Sequence, residues 1–364
     1  GYFKSGRYKA PPVRRVYLSK NRSEKRPIGI PTFEDKVLQR AVMMVLEPIY
    51  EQEFYDCSYG FRPGRSPHQA LQSLRNQVMD LKGCWIIDLD IRKYFDSIDQ
   101  KLLRSILRQR VCDGVITRMI DKWLKAGVME EKQRYHPERG TPQGGVISPL
   151  LSNVFLHEAL DRWFMETARR HLKGKAFLVR FADDAVIGCA EKSDAEKLLK
   201  ALAGRLAKYG LELHPEKTRL VDFRRPPKDR SDVTSKPGTF SFLGFTHYWG
   251  RSRKGNNIVR QKTAKERFSK AVQEINEWCR THRHLKLREQ YEQLCLKVRG
   301  HYLYYGITGN GRAISNFRYE VIRRWRKWLN RRSRRRDLSW PKFARITTAL
   351  QLPSPRIYHS YYTA

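Results

Sequence analysis

An acidic pair lies between two short apolar runs near the middle of the chain. Residues 177–180 (FLVR) precede Phe181, Ala182, Asp183 and Asp184, and residues 185–188 (AVIG) follow. Two β-prone runs separated by a polar turn predict a tight hairpin that presents both carboxylates at its tip. Neighbouring carboxylates repel each other unless a cation lies on them, and Mg²⁺ is a usual partner for such oxygen ligands. On its own the pattern fits an ordinary polar turn as well as a metal site.

A second acidic segment favours the metal site. Residues 85–91 (WIIDLDI) read as a buried strand that ends in carboxylates. Asp88 and Asp90 are two residues apart, so they share one face of the strand. Phosphoryl transfer to a 3′-hydroxyl by two metals, roughly 3.5–4 Å apart, needs carboxylates from separate strands. Asp90 with Asp183 and Asp184 can supply that set.

With these segments the chain resembles the reverse transcriptases encoded by bacterial group II introns, the intron maturases. The matching segments occur in the family's order and span nearly the whole chain: residues 26–31 (RPIGIP), 58–66 (SYGFRPGRS), 90–98 (DIRKYFDSI), 140–149 (GTPQGGVISP), 183–184 (DD), 215–218 (PEKT) and 242–245 (FLGF). Two departures are visible. Phe181 stands where the family usually has Tyr, which changes local hydrogen bonding near the primer, and His214 replaces the usual Asn.

The resemblance implies an α+β right-hand polymerase followed by an α-helical domain. The expected boundaries are fingers over 1–75, incomplete at the N-terminus, a palm with an antiparallel sheet and packed helices over 76–240, a helical thumb or maturase (X) domain over 241–345, and a short basic tail over 346–364. Many relatives carry a C-terminal nuclease domain rich in Cys and His. This chain ends before such a pattern, so we expect that endonuclease domain to be lacking.

The resemblance also implies a set of site residues. Two Mg²⁺ ions are expected at Asp90, Ile91, Asp183 and Asp184, of which the three aspartates are catalytic. Nucleotide binding is expected at Lys20, Arg26, Phe95, Gln143 and Lys217. Phe95 would reject ribonucleotides by a clash at C2′, while Tyr94 would point into the core. For Lys20 and Lys217 the competing interpretation is a solvated surface lysine, and for Phe95 it is a core aromatic.

The charge of the chain predicts a polyanionic partner. Its 364 residues carry a formal net charge of +36, and 40% apolar content suffices for real cores. No apolar run approaches the ~20 residues of a membrane span, which favours a polynucleotide over a membrane. Residues 251–364 hold 28 Lys and Arg against 7 Asp and Glu, or +21 of the total. The expected RNA-binding residues are Arg62, Arg65, Arg323, Arg324, Arg326, Arg331, Arg334, Arg335 and Arg336. For the segment 59–65, which carries Arg62 and Arg65, the competing interpretation is a plain structural loop.

Several local elements are legible. We predict a strand over 13–19, a hairpin tip over 20–26, and helices over 35–50, 100–110, 115–126 and 150–160. The first of these helices is expected to bury Val37, Val42, Val45, Leu46 and Ile49. Ser193 and Glu196 predict a capping box that opens a helix ending at Gly210, and Gly144 with Gly145 predicts close approach of the backbone to a ligand.

Three apolar ladders beyond residue 255 predict three packed helices. Their members are Phe268, Val272, Ile275 and Trp278; Leu287, Tyr291, Leu294, Val298 and Tyr302; and Phe317, Val321, Trp325 and Trp328.

The predicted function is DNA synthesis on an RNA template, together with binding of the parent group II intron RNA to assist splicing and mobility. The expected partners are that intron RNA, an RNA template with a DNA primer, a DNA target and dNTPs. Alternatives are a non-catalytic RNA-binding splicing cofactor, a reverse transcriptase co-opted for host defence, and a metal-dependent nuclease. Six scattered cysteines without a C-x-x-C pair, and no signal peptide, predict a bacterial cytoplasmic, nucleoid-associated protein without structural zinc.

Overall fold

The chain divides into two units, Gly1–Arg224 and Arg225–Ala364. The computed structural model describes residues 8–19, 25–126, 128–130, 133–135, 144–227, 238–333 and 337–361. Side chains are described in these ranges except at 18, 19, 25, 26, 128–130 and 133–135. Helices and antiparallel sheets occur in both units, which confirms the predicted α+β class. The predicted fingers and most of the predicted palm fall within the first unit.

The first unit is a mixed α and β body. In chain order its elements are β1 Val13–Ser19, β2 Lys25–Ile30, α1 Phe33–Glu51, α2 Pro67–Asp80, β3 Gly83–Leu89, α3 Tyr94–Ser97, α4 Gln100–Arg108, α5 Gly114–Lys125, β4 Val128–Glu130, β5 Gln133–Tyr135, α6 Ser148–Leu156, β6 Ala176–Phe181, β7 Asp184–Cys189, α7 Lys192–Ala207 and β8 Arg219–Arg224. Two π-helical turns, His157–Asp161 and Trp163–Thr167, follow α6. The predicted strand 13–19 and the four predicted helices are confirmed within a few residues, except that α6 is followed by π-helical turns from His157.

A four-stranded antiparallel sheet positions the acidic segments. Its strand order is β6-β7-β3-β8, and β3 pairs with both β7 and β8. The chain reaches β7 through the β6–β7 hairpin that the sequence predicts. Helices α6 and α7 pack their apolar side chains on this sheet to form the main core. The order of elements is the split β-α-β-β-α-β arrangement expected of the palm.

The buried face of helix α1 only partly matches the predicted one. Leu46 is fully buried and Val42 packs against the core, as predicted. Val37, Val45 and Ile49 are 53%, 53% and 40% exposed, whereas Asp35 and Gln39 are buried. Each buried polar side chain has a partner: Asp35 accepts from the Tyr8 hydroxyl and Gln39 accepts from the backbone N–H of Ile147. Because these hydrogen bonds offset the cost of burial, the buried face includes polar side chains and is displaced from the one that apolar spacing selected.

The predicted capping box at Ser193 and Glu196 is wrong. Helix α7 begins at Lys192 with Glu191 as its N-cap, and none of the described side chains caps it. Ser193 therefore lies inside the first turn. The predicted end of the helix is better supported, since Gly210 has a φ of 70° just beyond it, a conformation that glycine adopts without strain.

The second unit begins with strands that the sequence did not predict. A three-stranded sheet of order β11-β10-β9 precedes four helices. The elements are β9 Phe240–Phe242, β10 Phe245–Arg251, β11 Asn257–Thr263, α8 Lys265–Thr281, α9 Leu287–Tyr305, α10 Gly311–Asn330 and α11 Trp340–Ala349. The three predicted ladders are confirmed as core, with Trp325 and Tyr302 fully buried among them. Within the ranges given above, none of the helices is both long and apolar enough to span a membrane.

Candidate active site

The two acidic segments meet at one edge of the antiparallel sheet. Strands β3 and β7 pair through Asp88 with Val186 and through Leu89 with Ala185. The next residues along this register are Asp90 on one strand and Asp184 on the other. Residues opposite each other in an antiparallel pair have Cα atoms about 4.5–5.5 Å apart. The pairing therefore brings Asp90 to the same end of the sheet as the acidic hairpin tip.

The hairpin tip is a two-residue turn formed by Ala182 and Asp183. Phe181 pairs with Asp184 to close it. Ala182 has a φ of 56°, an uncommon value for a residue with a side chain, and it is buried. The ring of Phe181 lies 6.4 Å from that of Phe61, centroid to centroid. Packing thus holds a strained turn that carries Asp183.

Lys217 lies beside Asp90. Its Nζ is 3.7 Å from Asp90 Oδ2, with both side chains partly exposed. The backbone of the same segment is tied to Asp90, because the N–H of His214 donates to the Asp90 carbonyl at 2.8 Å and the Thr218 hydroxyl donates to it at 3.2 Å. The segment 215–218 therefore contributes a cation to the acidic edge.

Asp88 is engaged away from this edge. Arg219 Nη2 donates to Asp88 Oδ2 at 3.1 Å. Burial raises the pKa of Asp88, the Arg219 guanidinium opposes that rise, and the charge on Asp90 adds to it. The influence of Asp90 fits the prediction that the two carboxylates share a face. Asp88 is thus paired with arginine, while Asp90 faces Lys217.

The adjacent aromatics Tyr94 and Phe95 have different environments. Tyr94 is 2% exposed and its hydroxyl donates to the Ser152 carbonyl at 2.7 Å, which confirms that it points into the core. Phe95 is only partly buried and packs against the edge of the same core. The two rings meet edge to face at a centroid distance of 5.3 Å. The proposed contact of Phe95 with a sugar remains a prediction.

Arg62 does not face a ligand. Its side chain is 4% exposed, and its guanidinium forms a salt bridge with Glu51 at 2.9 Å. The same group donates to the carbonyls of Tyr55 and Ser58 at 2.8 Å each. The predicted RNA-binding role is therefore corrected, because these donors already hold the loop that follows α1. Arg65 is more accessible, although it pairs with Asp56 at 2.5 Å.

Gly144 packs closely against strand β2 of the protein, although the sequence predicted close approach to a ligand. It has a φ of 108°, and a Cβ placed there would lie 2.4 Å from the carbonyl oxygen of Gly29 in β2. This glycine therefore allows the segment before α6 to pack on the β1–β2 hairpin. Lys20, Gln143 and the side chain of Arg26 lie outside the described residues, as do residues 334–336.

The described arginines of the second unit are only partly committed to internal partners. Arg323 and Arg324 pair with Glu320 at 2.8 and 3.1 Å. Arg326 donates to the Leu338 carbonyl and stacks over Trp340, and Arg331 lies over Trp328. One glutamate shared by two arginines leaves this surface strongly basic. RNA binding by it remains a prediction.

Carboxylate oxygens are the ligands that Mg²⁺ prefers, so the donor set of Asp90, Asp183 and Asp184 fits this ion in chemistry. Over the described part of the chain, however, no three or more His, Cys, Asp or Glu side chains are already grouped so as to hold a metal.

Sequence reasoning missed Arg180. It lies in β6, two residues before Ala182 in the turn of the acidic hairpin, and its side chain is completely buried. The available signal was an arginine inside the otherwise apolar run of residues 176–181, where an unpaired charge would be strongly disfavoured.

Known proteins resemble this chain in sequence and in fold. Residues 18–247 match the family model described as reverse transcriptase (RNA-dependent DNA polymerase). Protein YkfC of Escherichia coli is 42% identical over 175 residues, 47% of this chain and 45% of that protein. Group II intron-encoded protein LtrA of Lactococcus lactis is 44% identical over 164 residues, 45% of this chain and 27% of LtrA.

The likeness extends to a solved structure. Apo telomerase from Candida tropicalis superposes with a TM-score of 0.54 at 14% identity, over 88% of this chain and 57% of that one. That likeness is one of fold alone. The aligned regions span less than half the length of these two curated relatives.

Proposed function

This chain belongs to the reverse transcriptase (RNA-dependent DNA polymerase) family, and from that premise we propose that it extends a DNA primer with deoxynucleoside triphosphates on an RNA template. The reaction would take place where Asp90 follows β3 and where Asp183 and Asp184 form the tip of the β6–β7 hairpin. The observation that most supports this location is the β3–β7 register, which runs both acidic strand ends to one edge of the sheet.

The chemistry joins the 3′-oxygen of the primer to the α-phosphorus of the nucleotide and releases pyrophosphate. Asp90, Asp183, Asp184 and the backbone carbonyl of Ile91 would hold two Mg²⁺ ions, which when bound favour the 3′-alkoxide and offset the charge of the triphosphate. Lys217 adds a positive charge at the same edge, next to Asp90. That charge favours the leaving pyrophosphate.

Nucleotide selection is assigned to Phe95. The residue follows Asp90 by five positions, and its ring is only partly buried. A ring against C2′ of the sugar excludes a 2′-hydroxyl by contact, so deoxynucleotides are preferred. Lys20, Arg26 and Gln143 complete the proposed nucleotide-binding set.

A second proposed activity is binding of a parent intron RNA to support splicing and mobility. One relative is by its name encoded by a group II intron, and residues 251–364 carry 28 Lys and Arg against 7 Asp and Glu. Such an excess favours the phosphates of structured RNA. A non-catalytic splicing cofactor is the rival function, and the acidic edge that joins two separate strands argues against it.

Primer extension by the purified protein on an RNA template, with Asp183→Ala as the key variant, tests the proposal. We expect extension by the parent and none by Asp183→Ala, with RNA affinity nearly unchanged, because one carboxylate is a small part of a basic footprint. Asp222→Ala is a matched control, since Asp222 lies on β8 opposite Trp85, toward the other end of β3. Normal extension by Asp183→Ala would refute the site.

A further inference from the structure

The guanidinium of Arg180 makes five hydrogen bonds inside the protein, as many as it has N–H groups. Nε and Nη2 donate to the two carboxylate oxygens of Asp161 at 2.8 and 2.5 Å. Nη1 donates to Asn153 Oδ1 at 3.0 Å and to the Ala182 carbonyl at 2.9 Å, and Nη2 also donates to Ser58 Oγ at 2.7 Å. Both Arg180 and Asp161 have 0% exposed side chains.

One of these bonds reaches the acidic turn. Ala182 precedes Asp183, and its positive φ sets the direction in which the chain presents the two carboxylates. The Ala182 carbonyl accepts from a guanidinium that is itself clamped in two places by Asp161. A planar, charged donor held this way restricts the carbonyl more than a flexible lysine could.

The backbone of Arg180 is fixed as firmly as its side chain. Its N–H donates to the Cys57 carbonyl at 2.7 Å, and its carbonyl accepts from the Tyr59 N–H at 2.8 Å. Asn153 Nδ2 donates to the Gly60 carbonyl at 2.6 Å, so the same asparagine joins the loop to the guanidinium. Gly60 itself packs against the turn: a Cβ placed on it would lie only 2.2 Å from the backbone nitrogen of Ala182.

Burying the Arg180 charge costs desolvation free energy, and apolar side chains could fill the same space without that cost. A buried ion pair often contributes no more stability than apolar side chains of similar volume. Two regions far apart in sequence nevertheless converge on this one guanidinium: the loop at Ser58, and the continuous helical segment that carries Asn153 in α6 and Asp161 in the π-helical turn that follows it. Among the described residues, the backbone group that the guanidinium holds is the carbonyl next to Asp183.

We propose that Arg180 is a positioning residue: by holding the Ala182 carbonyl against the buried Asp161 carboxylate, it orients Asp183 and Asp184 for metal and nucleotide. The inference rests on the proposed function, because it assigns Arg180 a part in the same active site. Arg180 acts through the turn and does not itself contact substrate or metal.

The test compares Arg180→Met with the double variant Arg180→Met/Asp161→Leu. The single variant leaves the Asp161 carboxylate buried without its partner, so it is expected to lose stability. The double variant removes both charges and should recover much of that stability, but it does not restore the donor to Ala182. Arg205→Met is the control, because Arg205 also donates to backbone carbonyls, those of Glu158 and Ala159, at 2.8 and 3.1 Å.

For the folded double variant we expect kcat to fall at least tenfold with an unchanged template–primer Kd, and the Mg²⁺ concentration for half-maximal rate to rise. Two readouts do not need turnover: Mn²⁺ titration by electron paramagnetic resonance, where affinity should weaken, and hydrogen exchange over residues 177–189, which should quicken. Arg205→Met should leave all of these quantities at parental values.

A double variant with parental kcat, Mg²⁺ dependence, Mn²⁺ affinity and exchange would overturn the proposal and leave Arg180 a structural residue. If the parent itself does not extend primers, the proposed function fails, and Mn²⁺ affinity and exchange still decide the role of Arg180. If the double variant does not fold, Arg180→Lys with the same measurements replaces it, since lysine keeps the charge but cannot make the paired contact with Asp161.

Discussion

Truncation of the neighbouring aromatics Tyr94 and Phe95 should have opposite consequences. Tyr94→Ala removes a ring that is 2% exposed and a hydroxyl that donates to the Ser152 carbonyl at 2.7 Å. A large-to-small change in such a core costs about 3–5 kcal/mol, and the lost hydrogen bond to the Ser152 carbonyl adds about 1 kcal/mol. Phe95→Ala should cost less stability because its ring is already partly in solvent.

The same pair separates specificity from stability. If the Phe95 ring excludes the 2′-hydroxyl, its removal should reduce the preference for deoxynucleotides over ribonucleotides by roughly 10–200-fold, the range for a contact of this size in a shaped pocket. Deoxynucleotide incorporation should stay near the parental rate. Tyr94→Ala should leave the preference unchanged in whatever fraction remains folded.

The assay is single-nucleotide incorporation with paired ribo- and deoxy-substrates, combined with urea unfolding of each variant. The ratio of kcat/KM for deoxynucleotides to kcat/KM for ribonucleotides measures sugar discrimination. The urea concentration at the unfolding midpoint measures the stability of the core. Parental discrimination in Phe95→Ala would place the gate elsewhere and refute this reasoning. Weaker discrimination in Tyr94→Ala would refute the division of roles.

Three further outcomes are expected. Neutralising the arginines at 334–336 should flatten the salt dependence of RNA binding by roughly 0.7–0.9 in log–log slope for each phosphate that is no longer bound, and an unchanged slope would mean that they are solvated. Gly60→Ala should lower kcat without weakening RNA binding, because the added Cβ would press on the backbone of Ala182; parental kcat in a folded variant would contradict a rigid turn. Burial lowers the pKa of His247 to about 3. Between pH 6.5 and 3 the unfolded chain therefore binds the extra proton, and unfolding free energy should fall by about 1.4 kcal/mol per pH unit on acidification. In chemical denaturation at a series of pH values, the unfolding free energy of His247→Phe should depend less steeply on pH than that of the parent. Replacing the exposed His284 with Gln should leave this pH dependence unchanged.

Patterns that depend on near neighbours in the chain were predictable. The acidic hairpin and the ladders of the second unit follow from periodicity and turn composition, and each is confirmed. The burial of Tyr94 follows from the resemblance, and it is confirmed too. The family was also predictable, because its motifs occur in order, and the family match confirms the resemblance. The assignment of nucleotide and RNA contacts stays a prediction.

Contacts between distant segments were not predictable in the same way. Helix α1 buries Asp35 and Gln39 because Tyr8 and Ile147 offer partners, and no local pattern reports those partners. Gly144 allows its segment to pack closely against β2, although the glycine-rich sequence around it suggested contact with a ligand. Arg62 forms a salt bridge with Glu51 and donates hydrogen bonds to carbonyls of its own loop.

The sequence by itself determined which residues carry acidic and basic chemistry and which strands and helices present them, because those properties repeat over a few residues. Tertiary structure decided which of these side chains bond to other parts of the protein and which stay accessible to a ligand. Arg180 shows the physical reason: a buried guanidinium is tolerable only where Asp161, Asn153 and Ser58 converge on it. That convergence exists only once the loop at Ser58 and the helical segment 148–161 have packed against β6.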